Sequence, residues 1–296
     1  MALRLACCVF AVGLAVAAST ATAAPAGGVY GGLGSWLDIY AGRPWSDPNG
    51  LVARAKENGV TTLYLQTSNY RQHAAIVRPF ALGTFVDAAH AAGLRVVAWY
   101  LPGFDRPRLD AARALAAIRF RSPSGQRFDG FALDIEASVV RDVRLRNERL
   151  LALATLVRRT APHPYQLGAI LPSPVGIRRH PHYWPGFPYA ALAHSFDAFL
   201  PMAYFSHYAH TPAAAYNYAY DVIAMLRSQL GPRVPIHMIG GSSAHMPAAT
   251  LSGFVRAVSQ CGIQGVSLYA FPQTSAADWA ALSGARLTSS RRCEPR

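Results

Sequence analysis

The sequence predicts a single (β/α)8 barrel, and three observations support this fold class. Short apolar runs alternate with longer segments of helical periodicity along the whole chain after the first 30 residues or so. Eight of the apolar runs have the length of a strand and begin 26 to 37 residues apart. Eight strand–helix units within about 260 residues match the length and rhythm of such a barrel, and a hydrophobic content of 52% supplies the core.

The first residues predict a secretory signal peptide over 1–24. Arg4 provides a positive start, residues 5–18 form an apolar run, and small residues follow at Ala21-Thr22-Ala23. We therefore expect an exported protein that is extracellular, periplasmic or associated with the cell wall. No later stretch reaches about 18 uninterrupted apolar residues, so we expect no membrane span after cleavage. The barrel is predicted over 29–286, and a basic tail over 287–296.

The elements follow in order from apolar runs and helix-end signals. Asp47 and Pro48 predict the start of the first helix, and Gly59 its end. A doubly wound fold would need a glycine-rich phosphate turn after the first strand, and no GxGxxG or Walker motif occurs there, so we expect no cofactor. The predicted strands are 35–40, 61–67, 95–101, 130–136, 166–171, 198–204, 235–239 and 265–271; further predicted helices are 80–92, 139–160 and 212–230.

The fourth strand carries two carboxylates at its end. Its sequence is Asp129-Gly-Phe-Ala-Leu-Asp-Ile-Glu136, so Ala132, Asp134 and Glu136 share one parity. Apolar residues occupy the other parity and face the helices, which leaves Asp134 and Glu136 pointing into the barrel. Buried carboxylates are costly unless they are solvated from a cleft or paired. They indicate either an active site at the mouth or an internal salt bridge to an arginine.

This strand resembles the signature DGxDxDxE of the family 18 chitinases. Asp129, Asp134 and Glu136 fall on its first Asp, third Asp and catalytic Glu, while Ala132 replaces the middle Asp. Met202-Ala-Tyr204 is similar to the family's MxY motif. The resemblance implies that Glu136 protonates the leaving oxygen while the N-acetyl oxygen of the substrate attacks the anomeric carbon. It also implies that Asp134 and Tyr204 orient the acetamido group.

A second scheme resembles the family 25 muramidases, in which a D-x-E on the fourth strand combines with an Asp from the first strand. Asp38 has the inward parity and the position that this scheme needs. Both schemes need a carboxyl with a raised pKa beside one that stays ionised, and both cleave beside N-acetyl sugars. The choice between them stays open from the sequence.

Polar and aromatic residues near the strand ends are candidates for substrate binding. Aromatic rings offer platforms for the apolar faces of sugars. The candidates in strands are Gln66, Trp99, Tyr100, His237 and Tyr269, and those in loops are Trp45, Tyr183, Trp184 and Phe187.

Charge and cysteine content define the expected partners. The net charge is +13, from 27 Arg and one Lys against 15 acids, which favours an anionic polymer surface. The arginines are scattered, so we expect no nucleic-acid partner. Cys261 and Cys293 remain after signal cleavage and predict a disulfide in an oxidising compartment. No CxxC motif or His/Cys cluster predicts a metal site.

We therefore predict a secreted, monomeric glycoside hydrolase that acts on an N-acetylated amino-sugar polysaccharide, similar to chitin or peptidoglycan. Glu136 is the expected general acid/base. The alternative is a barrel that binds cell-wall glycans without cleaving them, which Ala132 favours because the resembled family has a carboxylate there.

Overall fold

Eight parallel strands close into a barrel in the computed structural model, which describes residues 28–242, 246, 248–288 and 293. Each strand pairs with the next one along the chain, and β8 closes the ring against β1. This is the (β/α)8 fold that the sequence predicts. The strands are β1 (Gly32–Leu37), β2 (Thr62–Asn69), β3 (Arg95–Leu101), β4 (Gly130–Asp134), β5 (Gln166–Pro172), β6 (Ala198–Met202), β7 (His237–Ser242) and β8 (Gly265–Tyr269).

Helices lie between the strands and follow the sequence signals for helix ends. Asp47 accepts a hydrogen bond from the backbone N–H of Gly50 (2.9 Å) at the start of the first helix, and Pro48 occupies its first turn. Gly59 follows with a φ of +76°, a conformation that glycine adopts without a steric penalty. The helices are α1 (Pro48–Glu57), α2 (Pro79–Ala91), α3 (Pro107–Arg119), α4 (Val143–Thr160), α5 (Pro174–Arg179), α6 (Tyr189–Leu192), α7 (Pro212–Leu230), α8 (Ala248–Cys261) and α9 (Ala276–Ser283).

Two apolar layers hold the barrel together, one between strands and helices and one inside the ring of strands. Inside the ring, Trp36 meets Trp99 edge-on with ring centroids 6.0 Å apart. Ala132 belongs to this inner cluster, whereas its β4 neighbours Phe131 and Leu133 pack in the outer layer. The alternation along β4 therefore determines which side chains face the barrel axis.

The main differences from the predicted bounds are at element ends. β1 begins three residues earlier than predicted, at Gly32, so Asp38 lies just beyond it. β4, β6 and β8 each end two residues early, because the chain leaves the ladder to form the barrel mouth. α4 begins at Val143 rather than at 139, because Asp142 caps it by accepting a hydrogen bond from the backbone N–H of Leu145 (3.1 Å).

The two cysteines of the described chain form the predicted disulfide. Cys261, the last residue of α8, is bonded to Cys293. The predicted signal peptide, 1–24, lies outside the described residues, as does most of the tail 287–296. In the part of the chain that the structure describes, no helix has both the length and the apolar character needed to cross a bilayer.

Candidate active site

Two carboxyl side chains lie at the mouth end of β4, on the side that faces the barrel axis. Asp134 is the last residue of the strand, and Glu136 follows two residues later. Asp134 is only 5% exposed, and its Oδ1 is buried without a hydrogen-bond partner. Glu136 is half-buried. Burying a carboxyl oxygen without a hydrogen-bond partner destabilises the folded state, so stability does not explain why an aspartate lies at position 134.

Burial changes the protonation of both groups. Removal from water, together with the neighbouring charge of Glu136, raises the pKa of Asp134 well above its ordinary value. Burial also raises the pKa of Glu136. The two carboxyls titrate as a pair, and the pair retains a proton at a pH where solvent-exposed carboxyls are ionised. Such a pair can donate a proton to a leaving group.

Two tyrosines stand across the mouth from the carboxyl pair. Tyr204 follows β6 and Tyr269 ends β8, with ring centroids 6.4 Å apart. Burial, with the nearby charges of Asp134 and Glu136, raises the pKa of Tyr204. Its phenol therefore stays protonated at neutral pH and can donate a hydrogen bond.

Asp38 is connected to this group through Tyr269. The Tyr269 hydroxyl donates to Asp38 Oδ2 (2.6 Å), and the backbone N–H of Tyr40 donates to Asp38 Oδ1 (2.7 Å). Both carboxylate oxygens of Asp38 thus accept hydrogen bonds from the protein. Asp38 orients the phenol of Tyr269, which itself faces the cavity.

The carboxyl pair lines an open cavity of about 520 Å³ at the carboxyl end of the strands. This is the end at which barrel enzymes place their active sites. A second cavity of about 480 Å³ shares Glu136, Met202 and Tyr204 with it. The two cavities together form a cleft that passes over Glu136. The first cavity is lined by Tyr40, Gln66, Asn69, Tyr70, Arg71, Trp99, Leu101, Asp134, Glu136, Ala137, Ser138, Met202, Tyr204 and Tyr269.

A loop on the far side of the second cavity holds the backbone of Glu136. The Tyr183 hydroxyl donates to the carbonyl oxygen of Glu136. Arg146 of α4 donates from Nη2 to the Tyr183 carbonyl (3.0 Å), and its guanidinium lies 4.0 Å from the ring centroid of Trp184. A buried arginine thus fixes the loop that in turn contacts Glu136, two residues beyond β4.

Sequence reasoning missed several residues of the cavity wall, among them the consecutive Asn69, Tyr70 and Arg71; the others are Tyr40, Leu101, Ala137 and Ser138. The pairing of β2 with β3 shifts register between Gln66 and Ser68, which is a β-bulge. Gln66 pairs with Trp99 and Asn69 with Leu101, so Gln66 and Asn69 both face the cavity although they are three residues apart. Bulges are common beside active sites, where they redirect a side chain. No simple period-two pattern reveals this position.

Comparison with known proteins identifies similar folds, although no family model and no curated protein matches the sequence. A chitinase from Chromobacterium violaceum matches with a TM-score of 0.61 at 13% identity, over 85% of this chain and 98% of that chain. The spore cortex-lytic enzyme SleL from Bacillus cereus matches with a TM-score of 0.64 at 12% identity, over 87% of this chain and 74% of that chain. The PgaB glycoside hydrolase domain from Bordetella bronchiseptica matches with a TM-score of 0.60 at 13% identity, over 87% and 99%. The chain shares their fold.

Two predicted binding residues lie outside the cleft of this barrel. Tyr100 is fully buried on the helix side of β3, where its hydroxyl donates to Asp110 Oδ1 (2.6 Å). His237 is the first residue of β7, at the amino-terminal end of the barrel, with Nδ1 2.9 Å from the Tyr30 carbonyl and Nε2 2.9 Å from Ser267 Oγ. Burial lowers the pKa of His237 to about 4, so it is neutral. Both side chains stabilise the fold.

Most of the loop aromatics suggested as platforms are packing residues. Trp45, Trp184 and Phe187 are at most 8% exposed, and Trp45 meets Phe85 edge-on. Their burial under the loops explains why they cannot form a rim. Tyr183 is the exception, because it lines the second cavity.

Asp129, the first Asp of the motif on β4, has a structural role. Asp129 lies at the amino-terminal end of β4, where its Oδ2 accepts from the backbone N–H of Val96 (2.6 Å) and lies 2.9 Å from His90 Nε2. It therefore ties β4 to β3 and α2 rather than reaching the mouth. Among the described residues, no three His, Cys, Asp or Glu side chains cluster in a way that could hold a metal ion.

Proposed function

We propose that the protein is a secreted glycoside hydrolase that cleaves an N-acetylated amino-sugar polysaccharide, with Glu136 as the general acid/base. The observation that carries this proposal is the pair formed by buried Asp134 and half-buried Glu136 in the first cavity, with Glu136 also lining the second. The fold, shared with a chitinase and with a spore cortex-lytic enzyme, supports it. Because Glu136 lines two adjoining cavities, there is room for more than one sugar beside it, which suits a polymeric substrate.

In the proposed reaction, Glu136 gives its proton to the glycosidic oxygen as the bond to the anomeric carbon breaks. The acetamido oxygen of the same sugar attacks that carbon and closes a ring. Glu136, now a carboxylate, removes a proton from a water molecule that opens the ring and completes hydrolysis. Each half-reaction uses the same carboxyl, first as acid and then as base.

Asp134 and Tyr204 orient the acetamido group in this scheme. Burial favours the pair's proton on Asp134 in the free protein, so the scheme requires that proton to be on Glu136 once substrate is bound. Asp134 is then the carboxylate that faces the acetamido N–H and the positive charge that develops there. The phenol of Tyr204, which lines the same cavity and stays protonated, is available to donate a hydrogen bond to the acetamido group. Fixed groups that point at developing charge lower the barrier because they need no reorganisation.

The alternative scheme, with Asp38 as a second reacting carboxylate, is less well supported. Asp38 Oδ1 and Oδ2 both accept hydrogen bonds from the protein, from Tyr40 and Tyr269. Asp38 is also not among the residues that line the first cavity. We therefore assign it a positioning role.

The decisive experiment is Glu136→Gln, assayed by release of reducing ends from soluble chitin oligosaccharides and from peptidoglycan glycan strands. We expect a loss of about 10²–10⁴-fold in kcat, because the amide cannot donate the proton. Glu148→Gln is the matched control, since Glu148 is exposed on α4, and it should retain full activity. Undiminished hydrolysis by Glu136→Gln would contradict the assignment.

A barrel that binds glycan without cleaving it is the second candidate, and one observation favours it. Ala132 lies in the inner apolar cluster, and the buried Oδ1 of Asp134 has no hydrogen-bond partner beside it. A carboxylate at position 132, as in the resembled family, would be able to share a proton with Asp134. A wild-type protein that retains these glycans on a column but releases no reducing ends would support this candidate.

Export is part of the proposal and has its own test. A disulfide between Cys261 and Cys293 suits an oxidising compartment. Cleavage after the small residues near 24 would remove Arg4 and leave a net charge of 27 − 15 = +12. We expect mass spectrometry of protein from the extracytoplasmic fraction to give an amino terminus close to residue 25. A full-length chain confined to the cytoplasm would contradict export.

A further inference from the structure

Arg71 places a guanidinium group on the wall of the main cavity. It is fully exposed and lines the same cavity as Asp134 and Glu136. Its Nε donates to the Tyr70 hydroxyl (3.0 Å), and the ring of Tyr70 lies 5.3 Å below the guanidinium carbon. Within the part of the chain that the structure describes, no carboxylate lies within 4.0 Å of Arg71.

The backbone that carries Arg71 is held on both sides. Its own N–H donates to Asn69 Oδ1 (2.9 Å). The carbonyl of Tyr70 accepts from Arg106 Nη2 (2.6 Å), and the carbonyl of Gln72 accepts from Nη2 of Arg113. Arg113 is 1% exposed, so this anchor is part of the core. A loop fixed in this way presents Arg71 from a constant position, which lowers the entropy lost on binding a ligand.

Two acids on the neighbouring segment, Asp105 and Asp110, already have partners of their own. Asp105 lies 3.4 Å from Arg106 Nε. Asp110 accepts from the Tyr100 hydroxyl (2.6 Å) and from the backbone N–H of Phe104 (2.8 Å). Arg71 therefore brings an unpaired positive charge to the cleft. A guanidinium binds a carboxylate through two parallel hydrogen bonds, a geometry that neutral sugar hydroxyls do not match.

We propose that Arg71 binds a carboxylate of the glycan, so that the substrate is an acidic polysaccharide of N-acetylated amino sugars. This inference rests on the proposed function and specifies its substrate class. The net charge of +13 supports it, because a basic protein attracts an anionic polymer and raises the rate of encounter. A guanidinium stays charged at neutral pH and does not give up a proton, so the contribution of Arg71 is to binding rather than to proton transfer.

The test compares two series of ligands that have the same sugar chain. The neutral series is N-acetylglucosamine oligosaccharides, and the oxidised series is the same oligosaccharides with their primary hydroxyls oxidised to carboxylates. Affinities are measured by titration calorimetry with the full chain carrying Glu136→Gln, which prevents turnover. We expect the oxidised series to bind about tenfold more tightly at low salt. This factor is at the lower end of the range for a charge-assisted hydrogen bond, because water competes for the exposed guanidinium of Arg71. The preference should shrink as the salt concentration rises.

Two further variants separate a contact at Arg71 from attraction by the overall charge. Arg71→Gln, in the same background, should abolish the preference while leaving the affinity for the neutral series unchanged. Arg119→Gln removes one exposed charge at the end of α3, on the amino-terminal side of the barrel, and should keep the preference. In the wild-type background, Arg71→Gln should raise KM for the oxidised series about tenfold with little change in kcat.

Equal affinities for the two series, failure to bind the oxidised series, or a preference that persists in Arg71→Gln would overturn the inference. Hydrolysis by the wild type tests the proposed function separately. Cleavage of the neutral series with no preference for the oxidised one would leave the proposed function standing and reject the role of Arg71.

Discussion

Asp134 illustrates how a proposed catalytic role and a stable fold make opposite demands on a single side chain. Burial raises its pKa, so the folded protein keeps a proton that the unfolded chain has already released. The folded state therefore binds more protons than the unfolded state, and its stability falls as the pH rises above the ordinary Asp pKa of about 3.9. At neutral pH this carboxyl is a source of instability.

Asp134→Asn should therefore stabilise the protein while lowering activity. We expect a gain on the order of 1 kcal/mol in the free energy of unfolding at pH 7, because the amide keeps the shape of the side chain and carries no ionisable proton. The gain should disappear near pH 3, where Asp134 is protonated in both states. Urea denaturation at the two pH values measures it. An Asn variant that is less stable than the wild type at pH 7 would contradict the prediction.

Asp38 and Tyr269 should behave as one unit. Asp38→Asn and Tyr269→Phe both weaken or remove the hydrogen bond of 2.6 Å between them, so each is expected to lower kcat/KM by less than about tenfold. The double variant should lose little more than the more damaging single variant, because the shared contact can be lost only once. Steady-state kinetics of all three variants tests this. A loss of about 10³-fold in Asp38→Asn alone would instead indicate a reacting carboxylate.

At the scale of the element, α4 supports the site through Arg146. Arg146→Lys should lower the free energy of unfolding by about 2 kcal/mol, because lysine cannot both lie flat on Trp184 and donate to the Tyr183 carbonyl. Arg144→Lys is the control, since Arg144 is exposed on the same helix. Chemical denaturation followed by tryptophan fluorescence measures both. Equal stability of the two variants would show that Arg146 does not hold the loop.

Strand periodicity explains which parts of the site could be predicted from the sequence. β4 is regular, so alternation correctly places Ala132 inward and Phe131 outward. The same rule excludes Tyr100 from the mouth once Trp99 is placed there, because successive residues of a strand face opposite sides. The bulge in β2 breaks the rule and hides Asn69. Loop residues follow no period, so contacts such as those of Arg71 emerge only from the folded chain.

At the scale of the whole molecule, the disulfide links α8 to the end of the chain. Cys261 and Cys293 are 32 residues apart in sequence, and closing a loop of this size stabilises a protein by about 3.7 kcal/mol, mainly by restricting the unfolded chain. Reduction should lower the free energy of unfolding by about this amount without loss of activity, since the bond lies at the amino-terminal side of the barrel. The unreduced protein should weigh about two mass units less than the reduced one. Two alkylatable thiols in the purified mature protein would contradict the bond.

The order of the strands could be predicted more securely than the chemistry they support. The spacing of eight apolar runs specifies a closed ring, because every strand pairs with its neighbour in sequence. The amino-terminal end of the barrel was predicted less well. The predicted seventh strand begins at residue 235, two residues before β7 begins, so His237 was expected near the mouth and lies at the opposite end. Solved structures at 12–13% identity keep this architecture.

The packing around Ala132 has an evolutionary consequence. Replacing Ala132 with Asp would bury a third carboxylate in the apolar cluster that contains Trp36 and Trp99. It would also lie near Asp134, a carboxyl that is already buried. A chain with this replacement would lose stability, so a smaller side chain in place of one indole would have to accompany the change. Position 132 and the two indoles are therefore coupled: a carboxylate is expected at position 132 only in chains whose residue 36 or 99 is smaller than tryptophan.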